Sequence, residues 1–391
     1  MPTKTKTDVQ ATVLSSWPPI KGISQYTKHL VAALASHGAV RVLNFKSMYP
    51  KFLYPSGEVI DKHAHVPQLE NVDVVTTITW YNPLTWLAAG FKASGPIIHA
   101  QWWTYVLAPM YVSVMLVGKL RRKKIVVTVH NVELHEKNRL IPLANKMVFK
   151  LANGFIVHTS TGKQLLGKKY RISADKIRVI PHGILIPGDG TIPSRTSARA
   201  KLKLGDGTKA ILFFGAIRPY KGLLTLLEAL TKLKSENYRL IIAGQPWKIP
   251  GQDRNDWQTF IDNHDLADKL SLHLDFIPDN EVAGYFVAAD LVVLPYTFFN
   301  AQSGVGSVAL PFGKPLLVSD LEGLEDIVAS PESIFKAGDS DDLATKLQAI
   351  LSDDKLRQKL ANDSQTKAKE FGWDNIAKQT IDFYQSLEVK Q

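Results

Sequence analysis

The 391-residue chain has no cysteine. That excludes a disulfide framework, a zinc–thiolate site, an iron–sulfur cluster and a thiol nucleophile. No apolar run reaches the roughly 18–20 residues of a spanning helix. The opening Met1-Pro-Thr-Lys-Thr-Lys-Thr-Asp8 lacks the apolar core of a secretory signal, so a soluble cytoplasmic protein is expected. Glycine is scarce where cofactor loops need it. Pro18-Pro-Ile-Lys-Gly-Ile-Ser24 holds one glycine, not the three of a dinucleotide fingerprint, and no P-loop pattern occurs. Ser303-Gly304 lacks the preceding glycine of a nucleophile elbow. Paired carboxylates for glycoside hydrolysis are not evident. No aromatic-interleaved basic motif marks a nucleic-acid module, so no nucleic-acid partner is expected.

An apolar content of 45% and a charged content of 21% describe a folded chain of two or three domains. The net charge of +11 is unevenly spread. Residues 1–190 hold 24 Lys+Arg against 9 Asp+Glu, a net +15; residues 191–391 hold 23 against 27, a net −4. The basic excess lies wholly in the first half and points to an anionic partner there. β-Branched runs at Ala11–Ser15, Val40–Phe45, Val72–Ile78, Ile97–His99, Ile125–His130 and Gly154–His158 are mostly separated by helix-length segments. After the Pro/Gly-rich Ile186–Ser194, strands at Ala210–Phe214, Arg239–Ala243, Leu270–Leu274, Leu291–Pro295 and Pro315–Ser319 alternate with helices. Expected helices include Ser303–Phe312 and a last one over Asn375–Leu387. The record predicts an α/β protein of two doubly wound, Rossmann-like domains facing a central cleft. Ligands of such sheets bind just beyond the strands' carboxyl ends.

Three segments there carry chemistry. In Phe213-Phe-Gly-Ala-Ile-Arg-Pro-Tyr-Lys-Gly222, Arg218 and Lys221 stand between a strand and a helix N-terminus. A guanidinium fork, a point charge and orphan backbone N–H groups suit a diphosphate; the plain alternative is a solvated loop with two surface cations. Ser303-Gly304-Val305 opens a helix after a buried strand, either as an anion-facing turn or as an N-cap serine with a packing glycine. His130 follows another buried strand, where it meets a sugar hydroxyl or is simply a satisfied structural histidine. A metal at His130, Glu133 and His135 is disfavoured.

Taken in order, Lys21-Gly-Ile-Ser-Gln-Tyr26, Thr128-Val-His-Asn131, Ile180-Pro-His-Gly183, Phe214–Gly222, Ala289–Tyr296, Gln302–Val305 and Phe312-Gly-Lys-Pro315 form a specific set. With them the chain resembles the retaining nucleotide-sugar transferases of glycosyltransferase family 4, over nearly its whole length. The resemblance implies the GT-B fold. It divides the chain into an acceptor-side domain at 1–188, a linker at 189–197, a donor domain at 198–371 and a helix at 372–391 crossing back. On it, Arg218 and Lys221 grip the donor diphosphate, and His130 lies near the donor sugar. Gly22, Gln302, Ser303, Gly304 and Val305 contact the donor. Many members place the arginine directly after the loop glycine, where this chain has Ala216. Of two family glutamates eight residues apart, the second aligns with Val308, an apolar side chain, and the first with Asn300 or Gln302, of which Gln302, directly before the turn, is preferred. The resemblance further implies front-face transfer without a divalent metal or resident cofactor.

Tyr105–Gly118 runs into Lys119-Leu-Arg-Arg-Lys-Lys124, and Lys137–Lys150 is again basic and apolar. Such a face suits an anionic membrane, peripherally and on its cytoplasmic side, near a glycan or lipid-linked acceptor. A buried helix with a solvated basic end is the alternative. Trp373 either pins the returning helix or is a plain core residue. Rival classes are a non-catalytic GT-B subunit or sugar-nucleotide-binding module and, more weakly, a GT-B epimerase or phosphorylase.

Overall fold

The computed structural model describes residues 9–20, 23–49, 60, 66–130, 140–187, 191–234, 237–247, 255–299 and 303–388. The chain forms two compact units, Met1–Gly183 with Gly372–Gln391, and Ile184–Phe371.

The first unit is built on seven strands: β1 (Val9–Leu14), β2 (Ala39–Ser47), β3 (Val72–Thr79), β4 (Ile97–Trp102), β5 (Lys124–Val129), β6 (Gly154–Val157) and β7 (Ile177–Val179). They pair in parallel in the order β3-β2-β1-β4-β5-β6-β7. Helices α1 (Ser24–Ala35), α2 (Pro83–Lys92), α3 (Ala108–Leu120), α4 (Leu140–Leu151) and α5 (Ser160–Tyr170) intervene, and a C-terminal helix (Trp373–Glu388) completes the unit. One core joins Ile98, Ile125 and Val127 of the sheet to Tyr111 and Val114 of α3 and Val148 of α4. A second joins Val13, Val42 and Val126 to Leu30 of α1 and Phe383 of the C-terminal helix. Covering both faces is why β4 is buried at every position, His99 and Gln101 included.

The second unit repeats the plan with β8 (Lys209–Phe214), β9 (Tyr238–Ala243), β10 (Leu270–His273), β11 (Leu291–Leu294), β12 (Leu316–Ser319) and β13 (Ile334–Phe335), in the order β10-β9-β8-β11-β12-β13. Its helices are α6 (Arg195–Lys201), α7 (Leu223–Thr231), α8 (Asp256–Asn263), α9 (Asp279–Ala288), α10 (Gly304–Ala309), α11 (Ser340–Ser352) and α12 (Asp354–Glu370). Chain order reverses between β1 and β4 in one sheet and between β8 and β11 in the other, so each has one switch-point crevice.

Several details differ from expectation. β7 is a three-residue strand that its short sequence did not announce. Helix α6 begins at Arg195, inside the stretch read as linker, with Ser194 accepting the Ser197 N–H as its cap. The helix expected over Ser303–Phe312 is α10 followed by a tighter 3₁₀ turn, Leu310–Phe312, because Pro311 has no N–H to continue the α ladder. The C-terminal helix starts at Trp373, two residues before the Asn375 read from the pattern and one after the 372 that the resemblance implies.

Candidate functional site

The second unit's switch point gathers the cations. β8 ends in Gly215, at φ +92°, and the chain loops through Arg218 and Lys221 before α7. A side chain at Gly215 would meet the Lys221 Nζ at 2.9 Å and Val305 Cγ2 at 3.3 Å, so the glycine, the ammonium and the start of α10 converge. Lys221 is buried, and its ammonium lies 5.6 Å from the centre of the Tyr296 ring. No carboxylate among the described residues pairs with it. Burial, then the charge of Arg218, lower its pKa to about 8. Arg218 lays its guanidinium over Trp247, 4.3 Å from the ring centre. With no carboxylate among the described residues paired to either, the two cations repel each other, and a bound anion relieves that repulsion. Trp247 was not singled out in the sequence, because nothing in a chain reading places it 29 residues away under Arg218. Trp247→Ala removes the platform and is expected to raise the donor KM about fivefold through loss of the cation–π contact, as steady-state kinetics would show.

Ser303, itself buried, caps α10 by accepting the Gly306 N–H at 3.2 Å and lies 3.3 Å from the Tyr296 hydroxyl. Its side chain is therefore an N-cap, and only backbone groups of this turn remain for a ligand. A Cβ on Gly304 would touch nothing within 4 Å. Gly304→Ala is expected to leave Tm within about 1 °C, since a small exposed change costs little. It should weaken nucleoside-diphosphate binding about tenfold or more if the diphosphate fills that space, a shift calorimetry would register. Gln302 lies outside the described residues, as do Gly22, Glu133 and His135.

His130 stands just beyond β5, in the first unit, inside a chain of polar groups that the sequence did not reveal. His158 Nδ1 lies 3.0 Å from the Ile180 carbonyl, which only accepts, so that nitrogen carries the proton. His158 Nε2 then accepts from His130 Nδ1–H at 3.2 Å. This leaves a lone pair on His130 Nε2, 2.9 Å from the Gln101 amide. The structure sets Gln101 Oε1 toward His130 and Nε2 toward His99. The two amide ends are near-isosteres, and the polarity of this chain calls for the reversed amide, with its nitrogen donating to His130. The other end of the amide faces His99 Nε2 at 3.1 Å, and His99 Nδ1 accepts from the Tyr384 hydroxyl at 2.6 Å. Burial holds His130 well below the usual histidine range, aided by His158, His182 and His99, and takes His158 and His99 to about 3. The rings are thus neutral, with Tyr26 edge-on to His130 at 4.7 Å. Both nitrogens of His130 are engaged, and a sugar hydroxyl must displace Gln101 or His158 to reach one. His99 and Gln101, polar residues alternating in the otherwise apolar β4, were the overlooked sequence signal.

Trp373 packs on Tyr26 and stacks with His29, and Gly183, at φ +90°, leaves room for its indole. Beside the carboxyl ends of β1 and β2 is a cavity of about 560 Å³ with Trp17, Ile20, Phe45 and Val74 among its apolar walls and Asn44, Lys46 and Thr76 among its polar ones. The buried Trp17 indole N–H has no partner among the described residues. Among those residues no group of three or more His, Asp or Glu side chains is arranged to hold a metal ion, and no helix is long and apolar enough to cross a membrane.

Residues 20–185 match the family model described as Glycosyltransferase Family 4, and residues 194–367 that of Glycosyl transferases group 1. Curated relatives include a D-inositol 3-phosphate glycosyltransferase of Xylanimonas cellulosilytica, 27% identical over 252 residues, covering 62% of this chain and 59% of that protein. The same-named protein of Corynebacterium glutamicum is 28% identical over 244 residues, covering 60% and 57%. The chain is therefore matched over less than two thirds of these relatives' length. Among solved structures, Anabaena HepE in complex with UDP is similar at TM-score 0.70 and 17% identity, covering 97% of this chain and 100% of that one. A sucrose-phosphate synthase of Thermosynechococcus elongatus is similar at TM-score 0.69 and 19% identity, covering 98% and 100%. These likenesses establish the GT-B fold.

Proposed function

The chain belongs to glycosyltransferase family 4, and from that premise we propose that it moves a sugar from a nucleoside-diphosphate sugar to a glycan, lipid-linked or other acceptor, with retention of configuration. The observation that carries this reading is the buried Lys221 ammonium, without a carboxylate partner among the described residues, beside Arg218 at the second sheet's switch point. In this reading 198–371 holds the donor, 1–188 the acceptor, 189–197 links them and 372–391 returns to the first domain.

The step breaks the bond between the anomeric carbon and the β-phosphate oxygen. The acceptor oxygen bonds to the same face of that carbon, and its proton passes to the departing phosphate. Negative charge builds on the leaving diphosphate, where Lys221, Arg218 and the N–H groups of Ser303, Gly304 and Val305 stabilise it in place of a metal. His130 forms a wall beside the sugar, held neutral and oriented by Gln101 and His158. The cavity beside Trp17 and Lys46 suits part of the acceptor. The basic first half would meet that acceptor at the cytoplasmic face of an anionic membrane.

A binding module without turnover is the second reading, favoured by one observation. Val308, at the position of the family's ribose-binding glutamate, is partly buried against the second unit's core. A thermal-shift panel of nucleoside diphosphates, beginning with the UDP bound by HepE, selects the base. Incubation of the matching nucleotide sugar with candidate acceptors then separates the readings. Product with the donor's anomeric configuration supports transfer with retention; binding without turnover supports the module, and an inverted product overturns retention.

A further inference from the structure

Helices α2, α3 and α4 lie side by side on one face of the first sheet, and each buries one side in the core beneath. Each also carries large apolar residues on its outer side at helical spacing: Leu84, Leu87 and Phe91 on α2, Leu116 and Leu120 on α3, Leu143 and Met147 on α4. Leu84 is 73% exposed, Phe91 64% and Leu120 83%. α3 is apolar nearly all round, the pattern of a helix covered on both sides. Neither residues 74–132 nor 137–174 contain an aspartate or glutamate, so the three helices hold no carboxylate at all. Their exposed charges are positive: Lys92 closes α2, Arg122 follows α3, and Lys146 and Lys150 flank Met147 on α4. An ordinary solvated face interleaves both signs. Arg121 fixes α2 against the end of α3 by donating to the carbonyls of Phe91 and Ala93 at 2.7 and 2.8 Å, so the apolar stripes are held as one surface.

We propose that the outer face of α2, α3 and α4 docks in the headgroup region of an anionic lipid bilayer. Leu84, Phe91 and Leu120 enter the acyl boundary while Lys92, Arg122, Lys146 and Lys150 reach lipid phosphates. Long basic side chains lay their stems along apolar surface and keep their heads at the polar layer, which suits this alternation. Aliphatic tips among cations favour lipid over a nucleic acid, whose grooves offer phosphates but no apolar layer at that depth. The inference adds a face to the membrane reading above and uses none of the chemistry at Lys221, so vesicle binding is measured without any sugar substrate.

The test is sedimentation of the full chain with vesicles of phosphatidylcholine and phosphatidylserine at 7:3, and with phosphatidylcholine alone. Binding is expected to the anionic vesicles and to fall as salt rises. Each basic residue near such a surface is worth about fivefold in affinity, so Lys146→Glu with Lys150→Glu should weaken binding about 25-fold or more. Leu84→Glu with Phe91→Glu should abolish it while leaving the UDP thermal shift unchanged. No binding to anionic vesicles overturns the proposal. So does binding that the Leu84/Phe91 pair does not weaken, because that is diffuse attraction to a basic half. A dimeric wild type that this pair makes monomeric also overturns it, as the face is then an interface between two copies.

Discussion

Lys221→Met is expected to lower turnover by about two orders of magnitude or more while leaving the protein as stable as before, or more so. The two halves of that expectation share one cause. The Lys221 ammonium is buried, lacks a carboxylate partner among the described residues and lies beside a second cation, so its charge is costly until an anion binds. Charge building on a departing diphosphate is what that position accommodates, and a donor placed there in advance is worth about this much in rate. Methionine keeps most of the apolar stem and deletes the charge, which removes the function together with the folding penalty.

The pH dependence follows with its sign fixed. In the folded protein burial, then Arg218, lower the Lys221 pKa to about 8 from the ordinary lysine value of 10.5. Between those values the unfolded chain binds the additional proton, so stability rises with pH across the window, by about 3 kcal/mol at most. Below about pH 8 the full penalty is present. Burial also lowers Lys314 to about 8, so denaturant titrations from pH 7 to 10.5 should show a rise in both proteins, and a steeper one in the wild type than in Lys221→Met. Deprotonation in the free enzyme should likewise make kcat/KM fall above about pH 8. In the donor complex the diphosphate's charge favours the ammonium, so the fall in kcat belongs at higher pH. Wild-type turnover in Lys221→Met would remove the basis of the functional proposal.

The strands were legible because covering both sheet faces demands continuous β-branched runs, as in Lys124–Val129 and Leu291–Leu294. Arg218 and Lys221 were legible because they are three residues apart on one loop, so the sequence itself brings them together. The histidine chain was not, because its links span the molecule: His99 and Tyr384 are 285 residues apart in sequence. Trp247 escaped for the same reason. A short edge strand such as Ile177–Val179 carries too few residues to show alternation. Ser303 shows the other limit. Its pattern was compatible with a ligand contact and with an N-cap, and the 3.2 Å contact to Gly306 assigns its hydroxyl to the cap.

Gly222→Ala is expected to lower Tm by about 10 °C or more and to abolish measurable diphosphate binding. Gly222 sits at φ +67°, ψ +30°, immediately after Lys221 and at the N-cap of α7. That conformation alone costs an alanine roughly 1–2 kcal/mol. The larger effect is steric: its Cβ would lie 1.7 Å from the Pro295 carbonyl oxygen and 2.9 Å from the carbonyl carbon. These are backbone atoms at the end of β11, so no rotamer change relieves the clash, and the two loops must part. They are held together by the Thr297 N–H donating to the Tyr220 carbonyl at 2.8 Å, which sets the segment carrying Arg218 and Lys221 against the segment leading to Ser303. Forcing them apart places the substitution among the rare ones costing more than about 4 kcal/mol. At about 2–4 °C per kcal/mol for a unit of this size, that gives the stated fall in Tm. Calorimetry with UDP reads the second consequence, since Lys221 shifts with its neighbour. Gly304→Ala is the control for the fall in Tm alone, a glycine across the same crevice whose Cβ meets open space. A stable Gly222→Ala protein that binds UDP normally would mean that the two loops are not in backbone contact, and the shared anion site would lose its frame.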